Sequence, residues 1–504
     1  MTLEKLPTYI VGFDHVANGG LPKGRVTLLS GTAGSAKTVF ACNFLAQGVR
    51  HGETGVFITF EESPEDIRRN MRGFGWDIAQ WEAENKWAFV DASHVPDSQI
   101  VVGSYDFGAL LARIEYTVRR LDAKRLVIDS LSAIFSQFTD HGIVRTELFR
   151  VVTALKRMGV TALVTSERDS EYGAVARHGV EEFVADNVII LRNVLEDEKR
   201  RRTVEILKFR GTSHQKGAFP FTVTPEYGVV VVPLSAIELK QKSSDLRITS
   251  GNAELDQMCG GGFFRDSIIL VSGATGTGKT LVATSFLAGG VTQGERCVLL
   301  AFEESREQLF RNAIGWGIDF PRMEAAGRLR VISEYPEISS LEDHLLRIKA
   351  EINDYRPTRV AIDSLSALER VGTQRAFREF VIGLTSFIKH QEIAGLFTAT
   401  TPNLLGGTSI TEAHISTITD AIILLRYVEY YGEMRRGLTV LKMRGSLHDK
   451  DIREFTIDGR GMHIGKPFRN VSGILSGQFS YRDKSELDRL TGLFQDDSPN
   501  LASS

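Results

Sequence analysis

The clearest chemistry in this sequence is a phosphate-binding loop. The stretch GATGTGKT, from Gly273 to Thr280, matches the pattern G-x-x-x-x-G-K-[S/T] in full, follows an apolar run and opens a helical pattern. Its glycines allow backbone N–H groups to turn toward phosphate oxygens, while Lys279 reaches the outer phosphates and the Thr280 hydroxyl binds Mg²⁺. The residues predicted to contact a nucleotide here are Thr275, Gly276, Thr277, Gly278, Lys279, Thr280 and Leu281.

A second loop of the same kind occurs near the amino terminus. The stretch GTAGSAKT keeps the lysine and the threonine but has Ala36 where the pattern requires glycine. A methyl group at that point is expected to strain the loop, because glycine serves where φ is unusual. We predict that this loop also binds a nucleotide, and a weakened or purely structural site is the alternative. The predicted contacts are Gly34, Ser35, Ala36, Lys37, Thr38 and Val39.

Each loop has a matching aspartate later in the chain. The apolar runs RLVID and RVAID end in Asp129 and Asp363. A carboxylate at the carboxyl end of a parallel strand lies beside the phosphate loop and can hold the Mg²⁺ shell through water. We therefore predict a Mg²⁺ site formed with Thr38 in the first copy and with Thr280 in the second.

Paired glutamates close the next apolar run in each copy. They are Glu61 and Glu62 in TFEESPE, and Glu303 and Glu304 in AFEESRE. One carboxylate of such a pair can polarise an attacking water or hydroxyl, which predicts a catalytic role. The alternative is a solvated charge pair at the start of a helix.

Two cationic triplets, Lys208-Phe209-Arg210 and Lys442-Met443-Arg444, alternate as residues of a strand do. Alone they would indicate an exposed strand face. Next to nucleotide sites they are candidates for reaching the γ-phosphate bound by a neighbouring subunit, as an arginine finger does. That interpretation predicts a ring of subunits with sites shared across their interfaces.

These residues belong to two copies of one unit. Five blocks recur in the same order, with an offset of 242 between Lys37 and Lys279 and of 234 between Asp129 and Asp363. Short apolar runs alternate with helical patterns in each copy, which predicts an α/β fold with a mostly parallel sheet and helices on both faces. We predict a first domain at residues 1–232, a linker at 233–247, a second domain at 248–480 and a flexible tail at 481–504.

Composition narrows the class of protein. The chain has 504 residues, of which 42% are hydrophobic and 24% charged, and its formal net charge is −3. This charge argues against strong non-specific binding to nucleic acids. The start of the chain lacks the pattern of a signal peptide, and no apolar run approaches the ~18 residues of a membrane span. We expect a cytoplasmic protein whose three cysteines are reduced.

The duplicated blocks, together with GVEEFVADNVIILRNVLE and SITEAHISTITDAIILL, resemble the KaiC family of circadian-clock ATPases and autokinases from about residue 8 to about residue 490. The resemblance implies two tandem RecA-like P-loop domains and a double-ring homo-hexamer that uses ATP and Mg²⁺. It implies hydrolysis in the first ring by Glu61 and Glu62, where a KaiB-like partner would also bind. In the second ring it implies transfer of phosphate to Ser416 and Thr417 on the neighbouring subunit, with Glu303 as general base and close to Mg²⁺. It also implies that Trp316 lies near the adenine, and that His214 and Arg436 contact nucleotides.

Two substitutions separate the two copies at the acceptor positions. Glu182 and Phe183 stand where Ser416 and Thr417 stand, so the first copy carries a fixed charge and cannot accept a phosphoryl group. Each phosphate on the second copy would add roughly −1.5 to −2 charges and could be removed again. Thr411 resembles a further phosphate-holding position of the family.

Several alternatives stay open at this stage. The tail keeps KSEL but otherwise differs from the family's KaiA-binding tail, so the need for a KaiA-like partner is undecided. A RecA-like DNA-binding motor would need a basic or aromatic loop, and the only basic run, EDEKRRRT, is predicted to form a turn before the Lys208 strand. A signalling scaffold held together by its nucleotides is the third hypothesis.

Overall fold

The computed structural model describes residues 3–92, 107–130, 132, 141–176, 181–196, 199–232, 244–401, 415, 417–430, 432–469, 471–472 and 480–481. Contacts divide the chain into two compact units, Met1–Ala236 and Ile237–Ser504, and this division lies within the predicted linker. The predicted acceptor Ser416, the position Thr411 and residues 482–504 of the predicted tail lie outside the described residues.

The first unit is built on a sheet of nine strands. Six neighbouring strands are parallel. The last three strands of the unit are antiparallel and lie together at one edge of the sheet. Across the sheet the order is Gly228–Val231, Ala218–Thr224, Lys199–Phe209, Asn187–Glu196, Val26–Gly31, Thr161–Glu167, Arg125–Asp129, Gly55–Thr59 and Trp87–Asp91.

The second unit repeats this topology. Its six parallel strands are again followed by three antiparallel ones. The order is Leu329–Ser333, Cys297–Ala301, Arg359–Asp363, Ala394–Thr400, Ile268–Gly273, Ala421–Tyr430, Glu433–Met443, Arg453–Asp458 and Gly461–Pro467. The predicted pair of mostly parallel α/β domains is therefore confirmed.

Helices connect the parallel strands. In the first unit they span Phe13–Val16, Lys37–Arg50, Pro64–Met71, Ile78–Ala83, Phe107–Leu121, His141–Met158 and Glu181–Val184. In the second unit they span Ala253–Met258, Lys279–Thr292, Arg306–Gly315, Phe320–Ala325, Leu341–Tyr355, Leu365–Glu369 and Gln374–His390. Short strand pairs complete the units, at Lys5–Leu6 with Leu21–Pro22, Arg247–Ile248 with Phe263–Phe264, and Val471–Ser472 with Ser480–Tyr481. Within the described ranges, no helix is long and apolar enough to cross a membrane.

The helix that follows each phosphate loop is anchored in the core. In the first unit Phe40 and Phe44 are fully buried, and in the second unit Leu281 and Phe286 are. Burial of side chains of this size stabilises a fold by about 1.5–3 kcal/mol each. The core thus fixes where both helices start, and so where both loops lie.

A buried arginine occupies the same place in each unit. Arg125 and Arg359 stand at the start of their strands and are fully shielded from solvent. The guanidinium of Arg359 donates to the carboxylate of Glu295 and to the carbonyl oxygens of Thr249 and Phe286. Arg125 makes the equivalent set with Glu53 and with backbone carbonyls of its own unit. Each arginine therefore links the helix after the phosphate loop to the amino-terminal segment of its unit.

The basic residues of the run EDEKRRRT do not lie in the predicted turn, and Asp197 and Glu198 lie outside the described residues. Residues 199–203 belong to the strand Lys199–Phe209, which forms a long ladder with Asn187–Glu196. The prediction was wrong because the neighbouring strand pairs with the backbone of these residues. Their charged side chains project from the sheet and do not prevent the strand from forming. Arg200 donates to the carbonyl oxygen of Asn193 at 2.8 Å, and these cations therefore face local acceptors.

Candidate nucleotide sites

Both phosphate loops connect the central strand of the sheet to the core helix. The strands Val26–Gly31 and Ile268–Gly273 end at the loops, and the helices begin at Lys37 and Lys279. The ammonium of Lys279 donates to the carbonyl oxygen of Ala274 at 3.0 Å, and that of Lys37 to Gly31 and Thr32 at 3.0 Å each. Burial lowers the pKa of both lysines. Each loop thus holds a cation, buried at Lys279 and partly buried at Lys37, at the start of a helix, which is a site for anions.

The first loop pays a conformational cost at Ala36. This residue has a φ of 72°, in the left-handed region, and its counterpart Gly278 has a φ of 105°. A left-handed conformation costs a residue with a Cβ roughly 1–2 kcal/mol, so the predicted strain is present in the loop. Ser35 supports the loop from inside, where its hydroxyl donates to the carbonyl oxygen of Thr32 at 2.7 Å.

We expect Ala36→Gly to raise the free energy of unfolding of the first unit by roughly 0.5–1 kcal/mol. Glycine removes the left-handed strain and loses somewhat more backbone entropy on folding. The mirror variant Gly278→Ala should destabilise the second unit, since its new Cβ would lie 2.9 Å from Cδ1 of Ile457. Urea unfolding at a fixed nucleotide concentration measures both. A destabilised Ala36→Gly variant would contradict the strain argument.

The predicted aspartates lie beside the loop threonines. The hydroxyl of Thr38 donates to Oδ2 of Asp129 at 2.7 Å, and that of Thr280 donates to Asp363. Burial raises the pKa of Asp363, because its charged form is poorly solvated there. A hydroxyl and a carboxylate are hard oxygen ligands of the kind that Mg²⁺ takes together with substrate phosphates. The residues present therefore fit Mg²⁺ in both units.

A cavity of about 460 Å³ opens at the second loop. This volume suits a nucleotide-sized ligand. Its lining includes these predicted residues: Thr275, Gly276, Gly278, Lys279, Thr280, Leu281, Glu303, Glu304, Trp316, Asp363 and Arg436. Thr277 is buried behind the loop, where its hydroxyl donates to the carbonyl oxygen of Ala274 at 2.8 Å.

The glutamate pairs lie beyond the strands that were predicted to carry them. The strands end at Thr59 and Ala301, and the glutamates occupy a bend before a helix that Ser63 or Ser305 caps. The chain must turn there because the capping serine directly follows each pair and the helix begins at the next residue. The bend keeps Glu61 close enough to Lys37 for their charges to interact, and burial with the Glu167 and Asp129 carboxylates raises the pKa of Glu61.

The second member of each pair is held by an asparagine on the following helix. The amide of Asn312 donates to Glu304 at 2.9 Å, and that of Asn70 approaches Glu62 at 3.5 Å. Burial raises the pKa of both Glu62 and Glu304. The second glutamate of each pair is thus held by an asparagine, and the first lies near the phosphate loop.

The cationic triplets lie at the opposite end of the sheet from the loop of their own unit. Met443 is level with Ala421, which is level with Ile269, four residues before the end of the loop strand at Gly273. Four residues of a strand span about 13 Å. The first unit has the same register, through Phe209, Asn187 and Thr27.

Within one chain, the lysines of the triplets instead donate hydrogen bonds to the segment that precedes the neighbouring strand of the sheet. Lys442 donates to the carbonyl oxygen of Thr419 at 2.7 Å, and Lys208 to that of Ala185 at 2.9 Å. Burial lowers the pKa of both lysines. Arg210 and Arg444 follow the strand ends, and His214 packs edge-on against Phe209. These predicted contacts therefore do not converge with the loop of the same unit.

The predicted acceptor Thr417 lies beside the cationic triplet of the second unit. It is exposed, and its carbonyl oxygen accepts a hydrogen bond of 2.7 Å from Arg444. Thr417 precedes the strand Ala421–Tyr430, and its bond to Arg444, which follows Met443, puts it at the same end of the sheet as the triplet. In the first unit, Oε2 of Glu182 is buried and has no hydrogen-bond partner in the part of the chain that the structure describes.

Some residues near the loops were not predicted from the sequence. Asn312 and Thr400 line the cavity of the second unit, and Nε of Arg202 lies 3.4 Å from the carbonyl oxygen of Gly34 in the first. Arg202 could have been found, since the offset of 234 aligns it with the predicted Arg436. Thr400 ends the strand beside the loop strand, and its position depends on a strand order that the motifs do not give.

Comparison with known proteins identifies the family. The model of the family described as "ATPase: KaiC" matches residues 6–236 and again residues 248–468. This chain belongs to the KaiC family. It is 68% identical over 495 residues to "Circadian clock protein KaiC3" of Synechocystis sp. (strain ATCC 27184 / PCC 6803 / Kazusa), covering 98% of both chains. It is 55% identical to "Circadian clock oscillator protein KaiC" of Thermostichus vulcanus over 98% of this chain and 96% of that protein.

The KaiC resemblance inferred from the motifs is therefore confirmed, and each unit carries one KaiC-family ATPase domain. A protein of the same printed name from Synechococcus elongatus (strain ATCC 33912 / PCC 7942 / FACHB-805) is 53% identical over 99% of this chain and 96% of its own. The matches extend across both copies, so the division into two related domains is a property of the family.

Proposed function

We propose that the first unit hydrolyses ATP and that the second unit transfers the γ-phosphoryl group of ATP to Ser416 and Thr417 of a neighbouring subunit. The observation that carries this proposal is the separation of Thr417 from the phosphate loop of its own unit. Thr417 is bonded to Arg444, which follows Met443, and the sheet register puts about 13 Å along the strand direction between the level of Met443 and the end of the loop strand at Gly273. An acceptor so placed needs a loop from another chain.

The same geometry supports a ring. Lys442 and Arg444 lie beside Thr417, so a subunit that presents Thr417 to a neighbour's nucleotide presents two cations with it. Cations at the transferring phosphate stabilise the charge of the transition state. Head-to-tail contacts of this kind close into a ring when the rotation between successive subunits adds up to a full turn. We propose a homo-hexamer, as the family resemblance implies.

Transfer in the second unit would proceed as follows. The Thr417 oxygen forms a bond to the γ-phosphorus, the bond from that phosphorus to the bridging oxygen breaks, and ADP leaves with the electron pair. Glu303 takes the hydroxyl proton. Lys279 holds the outer phosphates, and Thr280 with Asp363 would hold Mg²⁺, which neutralises phosphate charge when bound. Trp316 and Arg436 also line the cavity. Trp316 would contact the base, and Arg436 would contact the sugar and phosphates.

The first unit lacks an acceptor at the matching position. Glu182 replaces Ser416 and Phe183 replaces Thr417, so water is the remaining acceptor. We propose that Glu61 and Glu62 serve this hydrolysis, with Thr38 and Asp129 as the residues that would hold Mg²⁺. Lys208, Arg210 and His214 would then reach the nucleotide of the next subunit.

The proposal extends to the protein's setting. The names of the relatives place those proteins in circadian clocks, and we propose a timing role for this chain in the cytoplasm. A KaiB-like partner on the first unit and a KaiA-like partner at the tail follow from the resemblance alone. A DNA-binding motor is less well supported, because Arg200 and Arg202 of the basic run approach backbone carbonyls of their own unit.

Phosphopeptide mapping tests the proposal. The purified chain is incubated with Mg-ATP, digested and analysed by mass spectrometry over time, with Ser416→Ala/Thr417→Ala as the matched control. We expect phosphate at both positions in the natural chain. A chain that hydrolyses ATP while both residues stay bare under all conditions would reject the kinase and leave an ATPase or a nucleotide-held scaffold.

A further inference from the structure

The predicted general base of the second unit is held at both of its oxygens. Nη2 of Arg370 lies 3.1 Å from Oε1 of Glu303, and the hydroxyl of Ser364 donates to Oε2 at 3.1 Å. Ser364 follows Asp363, and Arg370 follows the short helix Leu365–Glu369. Both partners thus belong to the segment just after the Mg²⁺-side aspartate. We call Arg370 and Ser364 the Glu303 clamp.

The first unit is different at the corresponding places. The hydroxyl of Ser130, which matches Ser364, is buried without a hydrogen-bond partner in the described part of the chain. The offset of 234 puts Ser136, which lies outside the described residues, where Arg370 stands. The first copy therefore has no cation at that position, and the Arg370 half of the clamp is particular to the second unit.

This difference coincides with the proposed division of labour. A carboxylate that acts as a general base must accept a proton from the attacking group, and both oxygens of Glu303 are already engaged. A water molecule brings no binding energy of its own with which to displace the clamp. The acceptor segment of a neighbouring subunit brings binding energy from contacts remote from the reaction, and this energy can be used to reorganise the site.

We propose that the Glu303 clamp suppresses hydrolysis at the second site and so makes ATP available to the hydroxyl acceptors. This inference rests on the proposed function. Arg370 is a positioning residue, since it acts through Glu303. In the suppressed reaction, a water oxygen would bond to the γ-phosphorus, the bond to the bridging oxygen would break, ADP would leave, and Glu303 would take the proton. The ion pair is half exposed, with 60% of Arg370 and 45% of Glu303 accessible, so it can open when an acceptor docks.

The test measures phosphate release in a chain whose other sources are removed. The background carries Glu61→Gln/Glu62→Gln to silence the first site and Ser416→Ala/Thr417→Ala to exclude the acceptors. In this background, Arg370→Ser should raise the kcat for hydrolysis about three- to tenfold and leave the KM for ATP nearly unchanged. Arg370→Lys should retain most of the suppression, and Ser364→Ala should raise hydrolysis to a smaller extent. Adding Lys279→Ala should abolish the gain, which assigns it to the second site.

Arg375→Ser is the matched control. Arg375 is an exposed arginine of the same unit, 3.0 Å from Glu379 within one helix, and its loss should not change hydrolysis. Unchanged or slower hydrolysis in both Arg370→Ser and Ser364→Ala would overturn the clamp. Failure of the proposed function would look different, because the natural chain would then carry no phosphate on Ser416 or Thr417 whatever the hydrolysis rates.

Discussion

Replacing Lys279 with alanine is expected to lower phosphate incorporation at Thr417 by at least about 100-fold, the size of effect seen when one fixed donor to a developing charge is removed. Lys279 is 8% exposed and lines the cavity at the start of the core helix. No other lysine among the residues lining that cavity can replace it. Incorporation is measured by phosphopeptide mapping at a saturating concentration of Mg-ATP.

The control for this variant is Lys466→Ala, which removes an exposed lysine from a strand of the same unit. It should incorporate phosphate at the natural rate. If Lys279→Ala keeps its phosphate while it remains folded and assembled, the second loop is not the phosphoryl donor.

Replacing Arg359 with leucine is expected to lower the free energy of unfolding of the second unit by about 3–5 kcal/mol, because it leaves the largely buried carboxylate of Glu295 without its partner. That carboxylate is only 15% exposed, and the backbone carbonyls of Thr249 and Phe286 lose their donor as well. For a unit of this size, the loss corresponds to a fall in Tm of roughly 6–20 °C. Calorimetry at a fixed nucleotide concentration measures it, since bound nucleotide also shifts Tm.

Two further variants separate this effect from a general loss of charge. Arg330→Leu removes a half-exposed arginine that pairs with Glu351 and Asp354, and it should cost less than about 1 kcal/mol. The double variant Arg359→Leu/Glu295→Leu should recover part of the stability. Equal losses for Arg359→Leu and Arg330→Leu would show that burial of the pair is unimportant.

Motifs with a fixed backbone geometry were predictable from the sequence. The phosphate loops, the aspartates at the strand ends and the alternation of strands and helices follow from residue types and spacing, and the structure has them. The strain at Ala36 was also predictable, because only glycine adopts a left-handed φ without cost. Comparison of the two copies strengthened each of these inferences.

Features that depend on strand order and register were not predictable in this way. The position of Thr400 next to the loop requires the order of the central strands, and the buried Arg359 reads in the sequence as an ordinary charged residue. The basic run was misjudged because charge indicates exposure and says nothing about pairing. The Glu303 clamp depends on side-chain contacts between segments 61 and 67 residues apart, and no pattern in either segment announces it.

Divergence between the two copies carries more information than their similarity. Both units keep the loop lysine, the aspartate and the glutamate pair, so both can hold a nucleotide. They differ at Ala36 against Gly278, and at Glu182 against Ser416. These differences bear on turnover and on the acceptor, which are the properties in which an ATPase and a kinase must differ.

The most direct test of the account uses mixed assemblies. Lys279→Ala chains, which keep both acceptors and are labelled with ¹⁵N, are coassembled with unlabelled Ser416→Ala/Thr417→Ala chains, which keep the loop. If transfer crosses between subunits, Mg-ATP puts phosphate on Ser416 and Thr417 of the labelled chains, which show none when assembled alone. Labelled chains that stay bare in the mixture, while the natural chain is phosphorylated, would show that each loop serves its own chain and would contradict the account.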